Sequence, residues 1–254
     1  MAITIKSERE IELMAEAGKI LERVHNELEK ALHPGMSTKD IDTLGEEIIR
    51  SYGCIPSFLN YNGYPASICV SVNQEVVHGI PDKHRIIQEG DIVSLDAGVI
   101  YKGYHSDAAR THAVGEVSEE AKKLIQVTKE CFFEGIKYAK AGNHLFDISG
   151  AIGRYAEERG YGVVRDLCGH GIGTALHEAP EIPNYEVGRK GVKLRPGMTL
   201  AIEPMINIGT YEVDWLDDDW TVVTRDGSLS AHYENTILIT EGEPRILSLT
   251  CENE

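Results

Sequence analysis

With 254 residues, 42% of them hydrophobic, the chain can bury a large core as one big domain or two ordinary ones, and its longest apolar stretches are strand-length, too short to span a membrane. Twenty-five basic residues against 41 acidic ones leave a net charge of −16, which opposes nucleic-acid binding through the phosphates. Five cysteines (Cys54, Cys69, Cys131, Cys168, Cys251) form an odd set without CxxC spacing, which argues against a disulfide framework or a Cys-ligated zinc and fits reduced thiols in a cytoplasm, as does an N-terminus, MAITIKSERE, without a signal-peptide pattern.

In chain order, apolar residues at Ile11, Met14, Leu21, Val24 and Leu28 predict a helix over Ser7–Leu32, opened by the capping box Ser7-x-x-Glu10 and stopped by His33-Pro34-Gly35. A second helix is expected over Thr38–Tyr52, ended by Gly53. Apolar, β-rich runs follow at Ser67–Val72, Asp91–Leu95 and Ala109–Val114. The order then returns: helical patterns at Ser118–Ala141 and Leu145–Arg159, ended by Gly142 and Gly160, and β-rich runs at Thr199–Ile202, Thr221–Thr224 and Thr236–Thr240.

The return is an internal repeat. Gly35, Asp40, Ile41 and Gly53 reappear 107 positions later as Gly142, Asp147, Ile148 and Gly160. Cys69, His78 and Pro81 match Cys168, His177 and Pro180 at an offset of 99, and Gly90 and Asp96 match Gly197 and Glu203 at 107. His105 and Asp107 pair with His232 and Glu234 at 127, so the second half carries about 20 extra residues between its acids, among them Trp215 and Trp220. The expectation is one domain over residues 1–254, built from related α+β halves at roughly 7–115 and 118–250, with a shared site on the pseudo-two-fold axis.

The repeat pairs acid with acid: Asp96 with Glu203 and Asp107 with Glu234, each beside a β-rich run. Four carboxylates brought together cannot all stay ionised without cations, because like charges raise one another's pKa. Two divalent ions would resolve the conflict, and the imidazole of His170 favours Mn, Fe, Co or Zn over Ca or Mg. Singly, such residues are most often solvated charges or structural histidines. Here Leu95-Asp96-Ala97-Gly98, Gly169-His170-Gly171-Ile172-Gly173 and Ala201-Ile202-Glu203-Pro204 embed them among small or apolar neighbours, where an unpaired charge is costly. Two lookalikes fail. Gly171-x-Gly173 lacks the third glycine of a dinucleotide fingerprint, and His177-Glu178 does not continue into HExxH, because position 181 is Glu and Pro180 would break the helix.

These motifs, with Val77-His78-Gly79-Ile80-Pro81, Ser106-Asp107, Trp220-Thr221 and Glu234-Asn235-Thr236, run over nearly the whole chain, which resembles the type I methionine aminopeptidases of the pita-bread fold. The resemblance implies two pseudo-symmetric halves with helices packed outside a curved, mainly antiparallel sheet. It implies Asp96, Asp107, His170, Glu203 and Glu234 as ligands of two divalent metal ions, with Asp107 and Glu234 bridging. It further implies hydrolysis of the first peptide bond of nascent polypeptides and N-terminal Met peptides whose second residue is small. In that reading Glu203 carries protons, His177 stabilises the oxyanion, and His78 contacts the scissile nitrogen. Phe58, Tyr61, Tyr64, Cys69, His78, His177 and Trp220 are the expected substrate contacts; Phe58 departs from family members that carry cysteine there. A monomer working near the ribosomal exit tunnel is expected, with no membrane and no specific nucleic-acid partner. A prolidase or X-Pro aminopeptidase shares the fold and ligands, and usually carries an extra N-terminal domain. Noncatalytic pita-bread modules tend to lose ligands, whereas all five are the right residue type here.

Overall fold

The structure, a computed structural model, describes residues 2–249; Cys251 and the last position of the expected second half lie outside them. Four helices alternate with antiparallel strands in the order read from the sequence: α1 (Glu8–Ala31), α2 (Thr38–Ser51), α3 (Glu119–Ile136) and α4 (Leu145–Glu157). Glu10 of α1 accepts from the Ser7 backbone N–H at 2.7 Å, closing the capping box, and Asp40 does the same for Ser37 at 2.8 Å. The helix expected to reach Ala141 stops at Ile136. Its continuation unwinds so that residues 142–146 can pair with the 190–194 segment, through Gly142 N–H to Leu194 O and Leu145 N–H to Val192 O.

Those two bonds are the second copy of a motif. In the first half Gly35 N–H donates to Ile87 O and Thr38 N–H to Arg85 O, all four positions lying 107 residues earlier. The isolated bridges Ser37–Ile86 and His144–Lys193 obey the same offset. The faint sequence repeat is therefore a repeat of backbone hydrogen bonding, which constrains the chain harder than residue identity does.

The central strands are longer than the β-rich runs suggested. Ile92–Tyr101 and Tyr104–Ala113 form a hairpin of two ten-residue strands, so Asp96 and Asp107 lie within strands and not beside them. Lys102 and Gly103 both take positive φ, the geometry a two-residue hairpin turn of right-handed twist requires. This hairpin belongs to a four-stranded sheet with Ile55–Pro56 and Ile68–Val72, and a five-stranded sheet runs Arg245–Ile246, Asn235–Leu238, Thr199–Ile202, Gly169–Gly171, Glu178–Ile182. A core including Leu21, Ile49, Val70 and Leu95 fills the first half and one including Phe132, Ile148, Leu200 and Ile237 the second; a third, with Met14, Phe58, Tyr64, Ile172 and Leu176, draws on both.

The two sheets meet along one seam. Asp107 N–H donates to Thr236 Oγ1, which donates in turn to Asp107 O, both at 2.9 Å, and Glu234 N–H donates to Ala109 O at 3.0 Å. Thr236 is fully buried. Thr236→Val keeps the shape and leaves both backbone groups of Asp107 without this hydroxyl, so it should destabilise the fold by about 1–3 kcal/mol in urea unfolding; an unchanged midpoint would show that the seam does not depend on it.

Candidate metal centre and substrate pocket

The seam gathers the acidic residues. Across the hairpin Asp96 faces Ala109 and Gly98 faces Asp107, so the two aspartates are diagonal neighbours on one sheet face. On the other side Ile202 pairs with Asn235, so Glu203, just after one strand, and Glu234, just before the next, leave the same end of that pair. His170 lies opposite Ala201 on the adjoining strand. Asp107, His170 and Glu234 offer one ligand atom each within 4.8 Å of one another.

The electrostatics are those of a cation site. Burial pushes the carboxyls of Asp96, Glu203 and Glu234 well above the ordinary carboxylate range, and the charge of Asp107 pushes them further. Asp107 is also raised by burial, less so because the Ala108 N–H and the Asp96 carboxyl hydrogen-bond to it. Asp96 Oδ1, Asp107 Oδ1 and Glu234 Oε1 are buried without a hydrogen-bond partner among the described residues, a costly arrangement that a bound cation would relieve. His170 is pushed down to about 3, first by burial and then by His177, so its ring is neutral. Its Nδ1 lies 2.9 Å from Gly171 O, and a carbonyl only accepts, so Nδ1 carries the proton. Nε2 is left with a free lone pair 3.6 Å from Glu203 Oε1 and 3.8 Å from Asp107 Oδ2. A donor set of four carboxylates and one neutral imidazole fits divalent transition metals.

Beside the cluster is a pocket of about 140 Å³. All twelve residues expected from the sequence line it: the five candidate ligands together with Phe58, Tyr61, Tyr64, Cys69, His78, His177 and Trp220. Tyr64 Oη donates to Gly79 O at 2.9 Å and its ring meets Trp220 edge-on at 5.1 Å. Gly98 makes room for this wall, since a Cβ there would stand 2.9 Å from Phe58 and 2.7 Å from Ser57. His177 packs on His170 with ring centroids 4.2 Å apart, and its Nδ1 is 2.8 Å from Tyr61 Oη. Burial lowers the pKa of both His177 and His78, the latter to about 4, so both are neutral near pH 7. Trp220 arrives on the second-half insertion, whose strand Val222–Thr224 pairs with Glu75–Val77 of the first half. Sequence reasoning missed Asn62 and Leu176, which also line the pocket. Their only signal was adjacency, to Tyr61 and to His177. A wider groove of about 770 Å³, lined in part by Cys168, Pro180 and Arg189, shares His170 and His177 with this pocket.

The raised carboxyl pKa values fix a pH dependence. In the metal-free fold these groups bind protons that the unfolded chain releases above about pH 4, so their contribution to stability falls as pH rises toward their folded values. Metal binding needs them deprotonated and reverses the effect. The gain in Tm on adding Mn(II) to metal-free protein should therefore grow from about pH 6 to about pH 8; a gain that shrinks over that range would place the ion elsewhere.

The comparisons with known proteins agree with this geometry. The metallopeptidase family M24 matches residues 12–241. Methionine aminopeptidase of Clostridium acetobutylicum is 58% identical over 250 residues, covering 98% of this chain and all of that one. Methionine aminopeptidase 1 of Bacillus subtilis is 51% identical over 239 residues, covering 94% of this chain and 96% of that one. The crystal structure of methionine aminopeptidase from Thermotoga maritima superposes with a TM-score of 0.96 at 47% identity, covering 98% and 100% of the two chains. The Xaa-Pro dipeptidase from Bacillus anthracis gives a TM-score of 0.77 at 27% identity, with 97% of this chain covering 62% of that one. With the repeat, the seam of carboxylates and the match over most of its length in agreement, the chain belongs to metallopeptidase family M24, with the α+β pita-bread architecture.

Proposed function

We infer that the protein is a methionine aminopeptidase, removing the initiator methionine from peptides and nascent chains when the second residue is small. The observation that carries this is a small pocket with aromatic and sulfur walls, abutting the carboxylate cluster and flanked by the wider groove. A pocket of that size has room for one side chain before the scissile bond, and the groove leaves space for the peptide that follows it. The first side chain would lie against Phe58, Tyr61, Tyr64, Cys69 and Trp220, surfaces that suit a flexible, polarizable thioether.

We assign Asp96, Asp107, His170, Glu203 and Glu234 as ligands of two divalent ions from the set Mn, Fe, Co and Zn. When bound, the ions supply Lewis acidity to the carbonyl of residue one and to the attacking water. Glu203 is the proton carrier: burial and the charge of Asp107 raise its affinity for a proton, which suits a carboxylate that takes one from water and returns it to the leaving amine. In this reading Tyr61 Oη, 2.8 Å from His177 Nδ1, is the donor of that pair, which leaves the Nε2–H of His177 to stabilise the oxyanion. His78, whose φ of 59° is unusual outside glycine, stands edge-on to Trp220 at 6.2 Å and would contact the scissile amide nitrogen. One chain supplies all of these groups, so a monomer would suffice for the reaction. The free state of Cys54, Cys69, Cys131 and Cys168 supports a cytoplasmic setting, where nascent chains leave the ribosome. Among the described residues no helix is long and apolar enough to cross a membrane.

Exhaustive chelation should abolish cleavage of Met-Ala-Ser, and Mn, Fe, Co or Zn should restore it. His170→Ala should lower the metal content, whereas His78→Ala should keep it and lose turnover; equal metal loss in both would reverse these roles. In a Met-X-Ser series, kcat/KM should fall on the order of 100-fold from X = Ala to X = Lys, because a bulky second side chain displaces the carbonyl by about 1 Å. Comparable rates would defeat the assignment, and faster cleavage of X-Pro peptides would favour the prolidase reading.

A further inference from the structure

His232 is the one buried histidine at the cluster that the proposed chemistry leaves unused. It is 1% exposed and sits two residues before Glu234, on the strand Ser230–His232. Its backbone is fixed on two sides, by pairing with Met205 and by a reciprocal bond to Thr111, whose Oγ1 accepts from His232 N–H and donates to His232 O, both at 2.9 Å. The ring is thereby held in place, yet neither of its nitrogens has a hydrogen-bond partner among the described residues. Its repeat mate, His105, differs: Nδ1 of that ring lies 3.0 Å from Ser57 Oγ. A buried imidazole without partners is expensive, so one is expected where a ligand or a substrate-linked rearrangement completes it.

What His232 faces is Glu203. Nε2 lies 3.6 Å from Glu203 Oε2 and 3.9 Å from Glu234 Oε2, while the other oxygen of Glu203, Oε1, lies 3.6 Å from His170 Nε2. The Glu203 carboxylate is thus straddled by two imidazoles. His170 presents a lone pair, because its proton is held at Nδ1 by Gly171 O. His232 has no such restraint, and the acceptors at its Nε2 favour a proton there. His232 also lines a cavity of about 310 Å³ shared with His25, Arg110 and His112. The gap of 3.6 Å is about 0.6 Å longer than a hydrogen bond, and such contacts at active sites commonly tighten once the site is loaded.

We propose that His232 is a positioning residue for the hydrolysis, its Nε2–H holding Oε2 of Glu203 so that Oε1 faces the ligand cluster and the carboxylate keeps one orientation while it carries the proton. This rests on the assignment of Glu203 above. A metal ligand at the same position would need the lone pair, and not the proton, at Nε2, so the two roles exclude each other.

The test compares His232→Ala and His232→Leu with His232→Gln, whose side-chain amide can also present an N–H. Met-Ala-Ser hydrolysis by the unaltered protein is the control for the activity itself. Metal stoichiometry of reconstituted protein and the Co(II) absorption spectrum are read independently of any peptide. Ala and Leu should lower kcat about 10–100-fold with KM within about twofold, and bind as many equivalents of metal as the unaltered protein. Gln should restore kcat to within about threefold. Loss of one metal equivalent in Ala and Leu, with a changed Co(II) spectrum, would make His232 a ligand and overturn the proposal. So would unchanged kcat in Ala and Leu, or a Gln variant as slow as both. If Ala fails to fold, Leu, close to histidine in bulk and without a donor, carries the comparison.

Discussion

Four carboxyl groups repel one another across the seam between two antiparallel sheets, and the rest of the molecule accommodates that repulsion. Burial and mutual charge raise Asp96, Glu203 and Glu234 together, and three carboxylate oxygens have no hydrogen-bond partner among the described residues. A fold bears such a cost only where the backbone around it is over-determined. Here it is: Thr236 is bonded to both backbone groups of Asp107, and Arg110 donates to Glu234 O and, at 2.6 Å, to Asn235 Oδ1. The strands that carry the acids are stitched across the halves by these bonds, so the carboxylates cannot relax away from one another. Divalent metal use by the family turns that conflict into binding energy.

The same arrangement separates the tasks of neighbouring groups. His170 and His232 both approach Glu203 at 3.6 Å, but from opposite oxygens and with different restraints on their protons. The polar half of the site sits on the seam, where backbone register fixes it to a fraction of a residue. The apolar half is assembled from loops and from the third core, where Met14, Phe58, Tyr64 and Leu176 pack with residues of both halves. Hydrogen-bonded strands give the precision that ligands need, and van der Waals packing gives a shape to the wall.

Much of this was legible in the sequence, for identifiable reasons. Helix starts were readable because capping is local: Ser7 with Glu10 closes the box that their spacing implied, and the structure adds a second box, Ser37 with Asp40, that the sequence reading did not name. The four acidic candidate ligands were legible because the repeat pairs acid with acid, and the backbone bonds 107 positions apart carry the same repeat; His170 was legible from its glycine-rich surroundings and from the family resemblance. Composition bounded the rest, since a net charge of −16 leaves four acids together as a conflict to be resolved and not as an oddity.

Where the sequence fell short, a distant partner decided. The end of α3 at Ile136 combines local turns, Tyr138 N–H to Gly135 O and Ala139 N–H to Ile136 O, with the distant pairing of residues 142–146 with 190–194, which the sequence did not announce. The insertion that carries Trp220 has no intrinsic reason to meet the pocket until its strand pairs with Glu75–Val77 in the other half. Asn62 and Leu176 likewise line the pocket only once the chain is folded. His232 was visible as the mate of His105, but its unpartnered ring beside Glu203 depends on which strands flank it. Residue type, capping and repeat order are properties of neighbours along the chain and were determined by the sequence itself. Register across the seam and the reach of the insertion depend on contacts between residues far apart in sequence, and only the folded chain decides them.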